Sequence, residues 1–374
     1  MSASALPRQR IAQLIESDGP GGAESVVLEL CTELRRRGHV VRPVIFGGGE
    51  GWLSGKLSGR DFQVYLPVLR SALPIDVGLL SRLCAWIREH EISLLHAHDF
   101  TMSVYAALAG YLTGVPHVIT LHGGKYFATA WKRKVALKLA AANARATVGV
   151  SQSTCDHLAT TLSLPIGTIQ LVANGVSPSR GGRENARRAL GLSENDRLIL
   201  AVGNLYEVKG HRILVDAAAQ LAAVEGLPAW RVAIAGRGDE EGRLRAQIRQ
   251  HGLGAQVELL GLRDDIGDLL SAADVWVMPS FSEGLPMALL EAMFAQLPIV
   301  CSAVGGIPDL LNGGPAGLLV PPHDSHALAG ALQHLLSDTR SGAALALRAR
   351  ELAEARYSVA AMADRYEALY QPSR

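Results

Sequence analysis

In the segment Pro279-Ser280-Phe281-Ser282-Glu283-Gly284-Leu285-Pro286-Met287-Ala288-Leu289-Leu290-Glu291, two carboxylates stand with seven residues between them. The apolar run before the segment reads as a strand, and the run that closes it reads as a helix. Gly284 permits close backbone approach, and Pro286 suits a first helical turn, where its missing N–H costs nothing. The amides near Leu285 to Met287 then lie at a helix start, where unpaired N–H groups and the helix dipole favour a phosphate. Glu291, one to two turns further in, is placed to accept hydrogen bonds from a ribose diol. Glu283, in the loop, is placed to hold or polarise a sugar. Taken alone, either Glu reads more readily as an ordinary loop or solvated-helix carboxylate; the combined spacing around Gly-Leu-Pro favours chemistry.

Lys209 lies in Val202-Gly203-Asn204-Leu205-Tyr206-Glu207-Val208-Lys209-Gly210, just after one strand and just before a helix. A flexible ammonium there can reach a diphosphate and neutralise its leaving charge without a metal. Arg212 lies inside the helix that follows Lys209, and Arg237 lies in Gly236-Arg237-Gly238 at the end of the next strand. Gly21 and Gly22 close a Gly-Pro-Gly-Gly loop before a helix, which leaves amides for a phosphate or an acceptor oxygen, or forms a simple tight turn. His122 ends a strand. His96, His98 and Asp99 resemble metal ligands by type, but no further ligand set accompanies them, so a structural role is the reading favoured here and no metal is expected. Lys132, Arg133, Lys134 and Lys138 share one predicted helix preceded by Tyr126, Phe127 and Trp131. This basic 131–138 helix is either a solvated face over a buried stripe or a surface that lies on an anionic membrane.

These residues need strand ends to stand on. Apolar runs over Arg10–Glu16, Val40–Phe46, Gln63–Pro67, Ser93–His98, His117–His122, Thr147–Ser151 and Ile169–Ala173 alternate with helical patterns in the first half. The pattern restarts with Leu198–Val202, Val232–Ala235, Val257–Leu260, Val275–Pro279, Ile299–Ser302 and Gly317–Val320. Continuous apolar strands separated by helices indicate parallel sheets covered on both faces. The polar stretch Asn174–Asn185, with Pro178 and three glycines, reads as a linker. The expected division is 1–180 for the first domain and 181–356 for the second. A last helical segment follows at 357–374. In such open sheets ligands bind beyond the carboxyl ends of the strands, so the strand-to-helix loops carry the site.

The segment Glu283 to Glu291 resembles the Glu-x7-Glu motif of the retaining glycosyltransferases of family 4. Further resemblances follow in the family's order: Gly21-Gly22-Ala23-Glu24, His96-Ala97-His98-Asp99, Leu121-His122-Gly123, Val150-Ser151, Asn174-Gly175-Val176, the Lys209 loop, and Ala303-Val304-Gly305-Gly306-Ile307-Pro308-Asp309. The resemblance implies an α/β fold of two Rossmann-like domains facing across a cleft (GT-B), with the C-terminal helix, 357–374, crossing back to the first domain. It also implies transfer of a sugar with retention from a nucleotide-diphosphate sugar, UDP- or GDP-linked, with no essential metal or cofactor. The acceptor would be a glycan, a lipid-linked or a small molecule, in bacterial cell-surface polysaccharide or glycoconjugate synthesis. By resemblance Lys209, Arg237 and the amides at Gly284, Leu285 and Pro286 serve the phosphates, Glu291 binds ribose, and the backbone at Arg263 meets the base. Glu283, Gly306 and His122 position the sugar. The family carries Arg where this chain has Asn204, so one of two expected cations is missing; Arg237 could replace it, and Arg212, inside the helix after Lys209, is a weaker candidate.

Composition sets the outer bounds. The 374 residues exceed what one core usually supports. The four cysteines are far apart in sequence, which fits neither a zinc knuckle nor a redox pair and suits a reducing compartment. No signal peptide or membrane span is evident, so a cytoplasmic protein is expected, with peripheral contact at the inner membrane face as an option. Residues 1–180 carry 18 Lys and Arg against 12 Asp and Glu, and residues 181–374 carry 18 against 23, which points the first half toward something anionic. The overall charge of +1 and the lack of a stacking motif argue against nucleic acid. Two alternatives share the fold: a GT-B epimerase or phosphorylase, and a nucleotide-sugar-binding protein weakened in catalysis, with Asn204 as its trace.

Overall fold

The computed structural model describes residues 8–46, 51–68, 75–122, 131–178 and 181–371. The chain forms two compact units, Met1–Gly175 with Val359–Arg374, and Val176–Ser358. Each is built on a six-stranded parallel sheet.

In the first unit the strands are β1 (Arg10–Ile15), β2 (Val40–Ile45), β3 (Leu94–His98), β4 (His117–Leu121), β5 (Ala146–Gly149) and β6 (Gln170–Leu171). Their order is β2-β1-β3-β4-β5-β6. The helices before the first crossing are α1 (Gly22–Arg36), α2 (Trp52–Ser58), α3 (Val77–Glu89), α4 (Asp99–Thr113), α5 (Trp131–Asn143) and α6 (Gln152–Leu162). β3 and β4 are buried along their whole length, the condition of a parallel strand with helices on both faces.

The second unit holds α7 (Arg183–Ala189), β7 (Arg197–Val202), α8 (His211–Ala222), β8 (Trp230–Ala235), α9 (Glu241–Gln250), β9 (Val257–Gly261), α10 (Ile266–Ala272) and β10 (Val275–Met278). It continues through α11 (Met287–Phe294), β11 (Ile299–Ser302), α12 (Ile307–Leu310), β12 (Leu318–Val320), α13 (Ser325–Ser337) and α14 (Thr339–Arg356). The strand order is β12-β11-β10-β7-β8-β9, the dinucleotide-fold order, in which connections run outward in opposite directions from β7 and β10. A crevice therefore opens above the carboxyl ends of β7 and β10. In the first unit the corresponding reversal lies between β1 and β3.

The last helix, α15 (Val359–Tyr370), belongs to the first unit. Tyr366 and Tyr370 are fully buried there, and Glu367 meets the Arg37 guanidinium at 2.5 Å and His39 Nε2 at 2.8 Å. Two large aromatics whose hydroxyls also find partners supply most of the reason for the docking.

Three sequence expectations change. Gln63–Pro67 is not a strand: only Tyr65 bridges to Val44, because Pro67 on one side and the turn at Asp61 on the other leave one residue pair able to bond. α2 was not anticipated, being too short for a period to show; Asp18 caps it from outside, accepting from Ser54 N at 2.7 Å. α7 occupies part of the stretch read as linker. It is held by the buried Arg187, whose guanidinium reaches the carbonyls of Ala272 at 2.9 Å and Asp196 at 2.7 Å and the Asp274 carboxylate at 3.1 Å.

Candidate active site

The loops after β7 and β10 meet because the sheet order places those strands side by side. A short 3-10 turn, Glu207–Lys209, ends at Gly210, whose φ is +65°. A Cβ there would lie 2.0 Å from the Pro279 carbonyl oxygen, and Phe281 N donates to Val208 O at 2.8 Å. The loop after β11 closes from the other side. Gly305, with φ +54°, would put a Cβ 1.8 Å from Glu283 O, and Gly306 N donates to Gly284 O at 3.2 Å. Glycine is required at both positions, by the left-handed backbone and by the contact. The segment from Pro279 to Gly284 is thus held between two neighbouring loops, one against Pro279 and Phe281 and the other against Glu283 and Gly284.

On that backbone the side chains are oriented. Lys209 Nζ donates to Glu283 Oε1 at 2.8 Å, and the buried Ser280 Oγ donates to the same oxygen at 2.7 Å. Both anchors use Oε1, so Oε2 is the oxygen left to accept from another hydroxyl. The Glu283 side chain is 7% exposed and that of Lys209 26%, so the ammonium keeps a solvent-facing side. Pro286 caps α11 rather than opening its first turn, and it supplies no side-chain cap to the helix start. The amides of Met287, Ala288 and Leu289 therefore lack intrahelical acceptors, as the first turn of any helix does. Glu291 follows one turn later, half-buried.

The candidate cations separate. Leu205 N donates to Arg237 O at 2.9 Å, which ties the loop after β8 to the Asn204 loop. Arg237 is exposed and pairs with no side chain among the described residues. Arg212 lies over the Phe281 ring at 5.3 Å, and that ring stacks on His323 at 3.7 Å. Arg237, not Arg212, is the uncommitted cation. The Arg263 guanidinium is held by Asp265 at 2.7 Å, so only its backbone is free for the base-binding role expected of it.

The first unit places the remaining predicted residues. Gly21 is the N-cap of α1 and Gly22 its first residue; a Cβ on Gly21 would lie 2.4 Å from the Glu24 carboxylate, which covers this loop. His122 follows β4, with its Nε2 2.9 Å from His98 Nδ1. His96 and His98 are not free to ligate a metal: His96 bonds to Tyr370 Oη and Thr120 Oγ1, both at 2.8 Å, and His98 bonds to Gln13 Oε1 at 2.9 Å. Burial drives His96 down to about 3 and His122 to about 4, and pushes the neighbouring Asp99 carboxyl up to about 7. Tyr126 and Phe127 lie outside the described residues.

Ser280 and Gln13 were missed as site residues. Gln13 had a visible signal, a lone amide in the apolar run Arg10–Ile15, and Ser280 had only its place three residues before Glu283.

Two parallel α/β units, the second with its loops converging above β7 and β10, define a two-unit Rossmann-like architecture. The crystal structure of Anabaena HepE in complex with UDP and glucose shares it, with a TM-score of 0.83 at 24% identity over 96% of this chain and 98% of that one. Residues 20–180 match the family described as Glycosyltransferase Family 4, and residues 182–352 match Glycosyl transferases group 1. The chain is 30% identical over 355 residues to the 2-deoxystreptamine N-acetyl-D-glucosaminyltransferase of Streptomyces fradiae, covering 86% of this chain and 84% of that one. It is 28% identical over 298 residues to the alpha-D-kanosaminyltransferase of Streptomyces kanamyceticus, covering 74% and 76%. The chain belongs to glycosyltransferase family 4, with the GT-B fold.

Proposed function

We propose that this glycosyltransferase moves a sugar, with retention of configuration, from a nucleoside-diphosphate sugar to a hydroxyl of a glycan, lipid-linked or small-molecule acceptor. The carrying observation is the Lys209–Glu283 pair at 2.8 Å beside the uncapped start of α11, at the reversal point of the second sheet. The diphosphate seats on the amides of Met287 and Ala288, and Lys209 and Arg237 supply the positive charge that stabilises it as it leaves. Glu291 accepts from the ribose. Glu283, aimed by Ser280 and Lys209, offers Oε2 to a sugar hydroxyl. His122 is assigned to the sugar as well, on the family resemblance. A departing phosphate oxygen takes the acceptor proton, so no separate protein base is invoked. A complex between a structural relative and UDP supports a uridine donor.

The test is transfer from a panel of nucleotide sugars, after a thermal-shift screen of nucleoside diphosphates for binding. Glu283→Ala and Lys209→Ala should each lower turnover by about two orders of magnitude or more, with a cooperative melt retained. Near-normal turnover in either overturns the assignment.

A second reading has its own observation. α5 exposes Trp131, Val135 and Leu139 in a line at four-residue spacing, beside the exposed Lys132, Arg133 and Lys138. No described helix is long and apolar enough to cross a membrane. We propose that α5 rests on an anionic bilayer. Co-sedimentation with vesicles containing anionic lipid should exceed that with neutral vesicles, and Trp131→Ser with Leu139→Ser should abolish the difference; equal sedimentation with both vesicle types rejects it.

A further inference from the structure

The buried polar line in the first unit does more than pack. His122 Nε2 faces His98 Nδ1 at 2.9 Å, and His98 Nε2 faces Gln13 Oε1 at 2.9 Å. Gln13 Nε2 faces Tyr370 Oη at 3.4 Å, and that hydroxyl lies 2.8 Å from His96 Nδ1. At the open end of the line, His122 Nδ1 is buried without a hydrogen-bond partner among the described residues. Burial lowers all three imidazoles far below the ordinary histidine value, so each is neutral near pH 7 and carries one N–H.

With one proton per ring, such a line has two self-consistent proton orders, exchanged by turning over the Gln13 amide. The structure has the Gln13 carbonyl on His98 and its amide nitrogen on Tyr370. A carbonyl accepts, so His98 holds its proton on Nε2 and leaves Nδ1 bare. His122 must then donate to that nitrogen from its own Nε2, and its Nδ1 is left as a bare acceptor. We infer that His98 and Gln13 are positioning residues that fix His122 as the Nε2–H tautomer, so that Nδ1 accepts from a hydroxyl of the donor sugar and disfavours a carbonyl or carboxylate oxygen at that place. This rests on the proposal that His122 meets the sugar. The tautomer itself does not. An unpaired buried nitrogen also has a selective value: a sugar without a donor group there leaves it unsatisfied.

The experiment is long-range proton–nitrogen NMR on protein labelled with nitrogen-15 histidine, the His122 signals being identified from a His122→Gln spectrum. The free protein should show His122 protonated on Nε2 and bare on Nδ1. A nucleotide sugar, unlike the matching nucleoside diphosphate, should shift the Nδ1 signal. His98→Phe and Gln13→Leu should each release the single tautomer and lower kcat/KM about threefold to tenfold, the range of one hydrogen bond, while the Kd for nucleoside diphosphate stays unchanged. A proton on Nδ1 in the free protein overturns the inference, as does a single Nε2–H tautomer that survives both substitutions. Should no nucleotide bind at all, the proposed function fails and the sugar's place at Nδ1 fails with it; the tautomer, read on the free protein, is then judged separately.

Discussion

The strand-end loops of the two units solve the same problem in opposite ways. In the first unit the polar groups near β3 and β4 are buried, neutral and fixed by one another, side chain to side chain, from His122 through Gln13 to Tyr370. In the second, Lys209 and Glu283 form an ion pair, partly open to solvent, and are fixed by the backbone beneath them, where Gly210 and Gly305 let three loops touch. The lesson is that a buried neutral network holds direction well, because the Gln13 amide selects one proton order along the line, but carries no charge for a phosphate. A glycine-packed loop can present charge at a helix start, and its precision then depends on a backbone held by close contact, on which Ser280 and Lys209 aim the carboxylate.

The largest test of this contrast is acid. His96, His98 and His122 are neutral when folded and take protons near 6.5 when unfolded, so the unfolded chain binds more protons at lower pH. Their stabilisation is full above about pH 6.5 and is lost as pH falls toward 4, on the order of 2 kcal/mol by pH 5 for His96 and for His122. Asp99 has the opposite sign: with its folded value near 7 against an ordinary 3.8, it stabilises on acidification and offsets about one of them. In the second unit the one buried histidine with a lowered value is His211, at about 4. Hydrogen exchange between pH 7 and 5 should therefore show the first unit losing protection ahead of the second; the reverse order would break the contrast.

Next in size is Gly305→Ala. The new methyl must displace the Glu283 carbonyl, and a shift of about 1 Å in the reacting geometry costs on the order of a hundredfold in turnover. Steady-state kinetics on a variant whose first-unit exchange is unchanged measures it, and wild-type turnover would show that the clamp is not needed. The smallest expected effect sharpens the electrostatic half. Arg237→Ala should weaken nucleoside-diphosphate binding about tenfold, the value of one charge-assisted hydrogen bond, and Asn204→Arg in that background should recover part of it. Titration calorimetry reads both; an unchanged Kd would exclude Arg237 as the second cation.

Much of this was legible in the chain. Strand and helix positions followed from continuous apolar runs and their stops, since a parallel strand buried on both faces leaves that mark wherever it occurs. Glu283, Lys209 and the helix start between Leu285 and Met287 were visible because local chemistry, a carboxylate, an ammonium and the amides that open a helix, is written at fixed spacing within single segments. The sheet order was not legible. It decides that the loop after β7 lies against the loop after β10, 74 residues away along the chain, and hence that Lys209 meets Glu283 at all. Nor could the sequence show that Arg212 is spent on Phe281 while Arg237 is not, that Arg187 turns an apparent linker into α7, or that Tyr370 reaches back to Gln13 across 357 residues. Periodicity reports which face of an element is buried; the partner waiting there is set by packing among elements distant in sequence, and only the folded chain brings those together.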